Sequence, residues 1–221
     1  MAVVTLEHVR KHPKVKTFIT KANEYLKVIG FTEHGFRHTE LVARVARKIL
    51  LELAYSEREA ELAAIAGYLH DIGNVICRPD HDKSGALIAL SILEELGMPY
   101  EEIADVIVAI GNHDEQQGMA VNSVSAALIL ADKSDVHRGR VRNPDFSTFD
   151  IHDRVNYAVK ESVLNINAEE RVITLELKID TRISQVMEYF EIFLSRMIMC
   201  RRAASFLDAR FGLVINGAVL L

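Results

Sequence analysis

Residues 63–74, AAIAGYLHDIGN, set the character of this chain. An apolar run of good helix formers ends in an adjacent histidine and aspartate, His70 and Asp71, after which Gly73 is expected to stop the helix. A helix turns about 100° per residue, so the two side chains point at neighbouring parts of one surface, and the helix end leaves room for an ion beside both. An imidazole and a carboxylate so placed form half of a metal site.

The His-Asp pair occurs four times, at 70–71, 81–82, 113–114 and 152–153, so the dipeptide alone says little. Only the first closes a long apolar run, at a depth where charge must be paired or ligated to be tolerated. The last lies in a polar stretch and reads as surface.

Upstream, Ser56 and Glu59 make a capping box for the same helix. The preceding helix, from Phe36 to Leu53, repeats His38, Val42, Val45 and Ile49 along one face and so turns His38 inward. Before it, Thr5 caps a short helix to Arg10, and Pro13 opens another that runs to about Ile29 and is closed by Gly30. Downstream, the loop NVICRPDHDKS leads into a helix capped by Asp80, in which His81, Gly85, Ile88 and Ile92 share one side. The helix from Glu101 carries an apolar stripe, Ile103, Val106, Ile107 and Ile110, that continues to His113. Asn122 or Ser123 then caps VSAALILADKSDV, where Val124, Leu128 and Asp132 stack at intervals of four and put a carboxylate on an apolar face.

Composition changes after Val136, and the boundary between two units falls inside HRGRVRNPDFSTFD. Residues 1–142 are expected to form a helical metal-binding domain and 143–221 a small α+β unit. That unit reads as a short helix near Asp150 to Val159, a hairpin of SVLNI and VITLELKI joined by NAEER, a long helix from Ser184 to Arg210, and a last strand, FGLVIN. The expected fold class is mainly α. In the long helix, Ile183, Met187, Phe190, Phe193, Leu194, Met197 and Ile198 read as core against the hairpin, and the width of the stripe points to a homodimer. Glu176, Lys178, Arg182 and Glu188 read as a solvated face.

At 221 residues and 49% hydrophobic composition, the chain can bury one sizeable core and a small appendage. A net charge of −5 gives no ground for wholesale binding to nucleic acid or to an anionic membrane. Two cysteines, Cys77 and Cys200, are too few and too far apart for a disulfide framework and point to the reducing cytoplasm. Charges interrupt every apolar run of the first twelve residues, which argues against a signal peptide. No uncharged apolar stretch approaches the roughly 20 residues that cross a bilayer.

The inward-facing polar residues are His38, His70, Asp71, His81, His113 and Asp132. A single histidine on an apolar face is more often a satisfied core residue than a ligand. Six such groups in one bundle would, without metal, carry a heavy desolvation cost.

The order of His38 in GFRHTELVARVA, His70 and Asp71 in GYLHDIGN, and Asp132 in LILADKSDV resembles the HD-domain metal-dependent phosphohydrolase superfamily, over roughly residues 20 to 140. His81 in DHDKSGALIA and His113 in AIGNHDE are similar to the extra histidines of its binuclear branches. The resemblance implies an HD-type helical bundle in which His38, His70, Asp71 and Asp132 hold one metal, while Asp71 bridges to a second held by His81 and His113. Two ions about 3.5–4 Å apart share a hydroxide and polarise a phosphoryl group. Mixed histidine and carboxylate ligation suits Mn, Fe, Co or Ni.

The pattern has departures. The family's HDIGK reads HDIGN, leaving Asn74 where relatives carry a lysine that can touch phosphate. No GYP follows His113, which argues against a cyclic-dinucleotide phosphodiesterase of the HD-GYP group, and the acidic pair of the stringent-response hydrolases is absent. Arg78, Lys133, Arg138, Arg140 and Arg142 could clamp phosphate oxygens, although HRGRVR also reads as a solvated turn. Lys133 adjoins Asp132 and is expected to line the cleft; His34 is either a proton donor to the leaving group or a loop histidine near the mouth. Asp114 and Glu115 could orient the His113 imidazole or stand exposed at a helix end.

The expected function is therefore hydrolysis of a small phosphate mono- or diester, nucleotides among them, by a metal-bound hydroxide, with Asp71, His34 and Lys133 as catalytic groups. Two other readings stay open: a di-iron oxygenase using the same ligand shell, and a metal-bound but inactive regulatory or scaffold protein. Oxygen-dependent turnover would mark the first, and loss of turnover in Asp71→Ala with the fold retained by circular dichroism would separate enzyme from scaffold.

Overall fold

Two helices open the chain, α1 (Leu6–Lys11) and α2 (Pro13–Val28), and Pro13 occupies the first turn of α2, where its missing N–H leaves nothing unbonded. The structure, a computed structural model, describes residues 3–220. Helices α3 (Phe36–Glu52), α4 (Glu57–Leu69), α5 (His81–Glu95), α6 (Tyr100–Gly111) and α7 (Ser123–Lys133) complete a bundle. In it α3 packs on α4 and α7, α5 packs on α6, and α4 also meets α6 and α7.

Helices α4 and α7 are apolar on nearly every side, with Leu62 to Leu69 and Val124 to Ala131 buried throughout, so both run through the middle of the bundle. The Ser56–Glu59 capping box starts α4 in both its hydrogen bonds. Gly67 lets α3 approach closely: a β-carbon there would stand 2.9 Å from the Ala43 backbone. The central helices end at the same end of the bundle, one before His70 and Asp71, the other just after Asp132.

The chain then turns through Arg138–Arg140 and Phe146–Thr148 into α8 (Ile151–Ala158), which runs directly into β1 (Val159–Asn167). Strand β2 (Val172–Ile179) pairs antiparallel with β1, and β3 (Arg210–Ile215) pairs parallel with β2 after the crossover helix α9 (Val186–Phe206). A two-residue β4 (Ala218–Val219) closes the order β1-β2-β3-β4. Ile173, Leu175, Leu177 and Ile179 face inward in strict alternation, as the sequence pattern requires. Helix α9 packs on β3 and on α7, so one apolar core extends from the bundle into the sheet.

Three local expectations are corrected. Helix α4 ends at Leu69, before Gly73, and a 3-10 turn over Ile72–Val75 carries the chain onward. Gly73 serves close approach instead, since a β-carbon there would lie 2.0 Å from the His81 carbonyl oxygen and 2.5 Å from the Gly85 nitrogen. Asp80 occupies the position before α5 but with φ 55° and no capping bond, its side chain pairing with Lys83. In α9, Met187 and Leu194 are 68% and 52% exposed, and the deepest rings are Tyr189 and Phe193. Strand β4 is too short to leave a periodic signal. Among the described residues, no helix is long and apolar enough to cross a membrane.

Candidate metal centre

Six side chains from five helices meet at the end of the bundle where α4 and α7 terminate. His38 is the third residue of α3, His70 and Asp71 follow α4, His81 begins α5, His113 lies just past α6, and Asp132 sits in the last turn of α7. Three overlapping trios, His38–His70–Asp71, His70–His113–Asp132 and Asp71–His81–His113, each hold their ligand atoms within 4.8 Å of one another. Asp71 is central. Its Oδ2 lies 3.5 and 3.3 Å from Nε2 of His38 and His70, and its Oδ1 lies 3.4 Å from Nε2 of His81. Oδ1 of Asp132 stands 3.3 and 3.6 Å from the same His38 and His70 nitrogens.

The outer nitrogen of every ring is committed elsewhere. Nδ1–H donates to a main-chain carbonyl in His70 (Gly67, 2.8 Å), His81 (Arg78, 3.1 Å) and His113 (Ile110, 2.6 Å), and to the Asp135 carboxylate in His38 (2.7 Å). Such acceptors carry no proton, so each ring is fixed with its hydrogen on Nδ1 and its Nε2 lone pair turned inward. The inward atoms then face one another: Nε2 of His38 is 3.2 Å from Nε2 of His70, and Nε2 of His81 is 3.2 Å from Nε2 of His113. Two lone pairs at that distance repel unless a proton or a cation lies against both.

Electrostatics separates the two pairs. Burial lowers His70, but the Asp71 and Asp132 carboxylates outweigh it and raise the ring to about 10, so a proton can relieve the His38–His70 contact. Burial pushes His81 and His113 below the ordinary imidazole value, which disfavours a proton at their contact. At Asp71 and Asp132 burial opposes ionisation yet is overcome, by His70 beside Asp71 and Lys133 beside Asp132, and both carboxyls lie well below the usual range. Two carboxylates and four inward Nε2 atoms thus converge on a point that calls for positive charge. Donors bonded to one ion at about 2.0–2.2 Å lie about 3.0–3.6 Å from each other, which matches the 3.2 to 3.6 Å spacings in this cluster. The residues fit divalent metal.

Asp71, His81, His113 and Asp132 of the cluster line a cleft of ≈ 760 Å³, with His38 and His70 buried behind them. His34 and Lys133 both line it. The His34 Nδ1–H donates to the Thr32 carbonyl (2.7 Å), and its ring stands 5.5 Å from that of His38. Lys133 is buried, with Nζ 2.6 Å from Asp132 Oδ2 and 3.6 Å from Glu115 Oε2. Arg78 lines the wall near Phe31. The other basic candidates are used structurally. Arg138 stacks on Tyr157, Arg142 bonds to Asn23, and Arg140, far from being a solvated turn residue, is buried against Asp135 and the Glu33 carbonyl.

Asp135 is the residue that sequence reasoning missed. It backs His38, and it is itself gripped by Arg37 (2.8 Å) and Arg140 (3.7 Å). Burial opposes its charge, but Arg140 and the His38 bond hold the carboxyl well below its usual range. Its signal was the second acid in DKSD, three positions after Asp132. Asp114 and Glu115 do not orient an imidazole: Glu115 bonds Arg196 of α9 at 2.9 Å, and Asp114 accepts from the Gln116 amide. Arg196, also unforeseen, brings the C-terminal unit into the cleft wall together with Asp150, His152 and Asn156 of the α8 region.

A family model described as HD domain matches residues 35–178. An uncharacterized protein of Methanocaldococcus jannaschii is 30% identical over 192 residues, 76% of this chain and 73% of that protein. Ribonuclease Y of Oceanobacillus iheyensis is 31% identical over 49% of this chain, and that of Bacillus pumilus is 30% identical over the same share; the match spans only 20% of either enzyme. A crystal structure of a predicted HD superfamily hydrolase from an uncultured Thermotogales bacterium aligns at 25% identity with a TM-score of 0.44, covering 59% of this chain and 73% of that one. With the matched segment running from the start of α3 to the end of β2 and containing all six converging side chains, the chain belongs to the HD-domain superfamily of metal-dependent phosphohydrolases.

Proposed function

We propose that this protein hydrolyses a small phosphate mono- or diester, nucleotides among the candidates, using two divalent transition metals (Mn, Fe, Co or Ni). His38, His70, Asp71 and Asp132 would hold one ion, and Asp71, His81 and His113 the other. The observation that carries this reading is the pair of facing Nε2 contacts at 3.2 Å on opposite oxygens of Asp71. A cation is called for most strongly at the His81–His113 contact, where burial disfavours a proton, and the carboxylates of Asp71 and Asp132 beside His38 and His70 favour another. A bound pair supplies Lewis acidity at the phosphoryl group and makes water more acidic.

The chain's own groups do the rest. Asp71 would serve both ions, since its Oδ2 faces His38 and His70 while its Oδ1 faces His81. Lys133 carries protons and borders the cleft, so it donates to the leaving oxygen. His34, with Nδ1–H spent on Thr32, offers Nε2 as an acceptor and orients the attacking water rather than protonating the leaving group. A cleft of ≈ 760 Å³ suits a small ligand. The likeness to two ribonucleases Y favours a diester, while a net charge of −5 disfavours a long polyanion. We assign metal binding to residues 1–142 and a wall of the cleft to 143–221. The exposed Met187, Leu194 and Phe206 of α9 would mediate a homodimer in the cytoplasm.

The test is elemental analysis of purified protein beside a panel of phosphate mono- and diesters. Two metals per chain with turnover that Asp71→Ala abolishes is the expected result. Metal binding without hydrolysis of any ester, or turnover only with oxygen, would overturn it.

A further inference from the structure

We infer that Arg78 is the residue that grips the substrate phosphate, and that Asn74 is its bracket. The inference rests on the phosphohydrolase reading above and names a contact for that site.

Asn74 is buried one turn beyond Asp71, and its Nδ2 donates to both Asp71 Oδ1 and the Asp71 carbonyl, each at 2.9 Å. An amide with both hydrogens so committed must turn its oxygen the other way. That oxygen accepts from Nη1 of Arg78 at 3.2 Å. The guanidinium also lies over the Phe31 ring, 5.4 Å from its centroid, which fixes its plane. A chain from Asp71 through Asn74 to Arg78 therefore ties the arginine to the metal cluster, with Nη1 3.6 Å from Asp71 Oδ1.

Other cations around the cleft are already engaged. Lys133 is held by Asp132 and Glu115, Arg196 by Glu115, Lys83 by Asp80, and Arg140 by Asp135 and main-chain carbonyls. Among the described residues, the remaining N–H groups of Arg78 make no hydrogen bond, and the side chain lines the cleft. The one carboxylate near it, Asp71, is shared with three imidazoles. A guanidinium braced on one edge and one face, with the other edge open beside the cluster, presents the fork that matches two non-bridging phosphate oxygens.

The experiment uses inorganic phosphate as the probe. Its binding to metal-loaded full-length protein is measured by titration calorimetry for wild type, Arg78→Lys and Arg78→Ala, with metal content and circular dichroism recorded for each. A charge-assisted bidentate contact implies that both variants bind phosphate about tenfold or more weakly, with metal content unchanged, and that KM for an ester substrate rises more than kcat falls. Unchanged phosphate affinity in Arg78→Ala would overturn the assignment and leave the functional reading standing. Loss of metal in Arg78→Ala would also overturn it, since Arg78 would then act by positioning Asp71. A metal-loaded wild type that binds no phosphate would overturn the functional reading itself, and this inference with it.

Discussion

The two sides of the metal cluster are built on different principles. On one side, His38 is backed by the buried Asp135 carboxylate, which Arg37 and Arg140 clamp in turn, while Lys133 pairs with Asp132. On the other side, among the described residues, the outer nitrogens of His81 and His113 bond only the carbonyls of Arg78 and Ile110, and the position of His81 depends on Gly73 letting α5 come close. Charged side chains hold His38 and Asp132 in the first half, where only His70 leans on a main-chain carbonyl; main-chain geometry holds the second. A site can therefore be damaged in one half without the other, and each half by its own kind of substitution.

The shared residue should break both. Asp71→Ala is expected to remove hydrolysis by about three orders of magnitude or more and to lower metal content in both sites, as read by elemental analysis and ester turnover. Gly73→Ala comes next. Its β-carbon would stand 2.0 Å from the His81 carbonyl oxygen, so α5 must shift. We expect a loss of about 1–3 kcal/mol in stability and, on the proposed binuclear reading, a fall from two metals per chain toward one, with the His38 side retained. If both metals persist in Gly73→Ala, the second half does not depend on that close approach.

Asp135→Asn should act on the opposite half. It leaves Arg37 and Arg140 short of a counter-charge and weakens the acceptor for His38. Metal affinity on that side is expected to fall about 10–100-fold, measured by competition with a chelator, while the His81 side changes little. The smallest effect belongs to Arg196→Met. Its bond to Glu115 is partly exposed, so the change should cost about 0–1 kcal/mol and shift KM modestly through Lys133. A collapse of metal binding in that variant would mean that α9 supports the cluster more directly than the bonds indicate.

Much of this contrast was legible in the sequence, though unevenly. The six inward residues could be found because each interrupts an apolar stripe at helical spacing, and His38, Val42 and Ile49 are indeed buried together. The hairpin of β1 and β2 was legible from alternation. Asp135 was not, because it lies past the end of α7, where no periodicity says which way a side chain points. Arg140 reads as a solvated turn from composition alone, and only its burial against Asp135 reveals a brace. Gly73 looked like a helix stop since glycine commonly is one, while the reason for its small size lies eight residues away at His81. Local rules find the groups that chemistry needs, and tertiary contacts decide what holds them.

The crossover that places β3 beside β2 has a consequence for biogenesis. Helix α9 is made after every ligand-bearing segment, yet it covers α7, the helix that delivers Asp132. During synthesis the bundle must therefore wait with an apolar flank of α7 uncovered, and the parallel pairing that locks α9 in place joins strands separated by the whole crossover. A ribosome-stalled chain ending before Val186 should bind an apolar dye that the finished protein excludes.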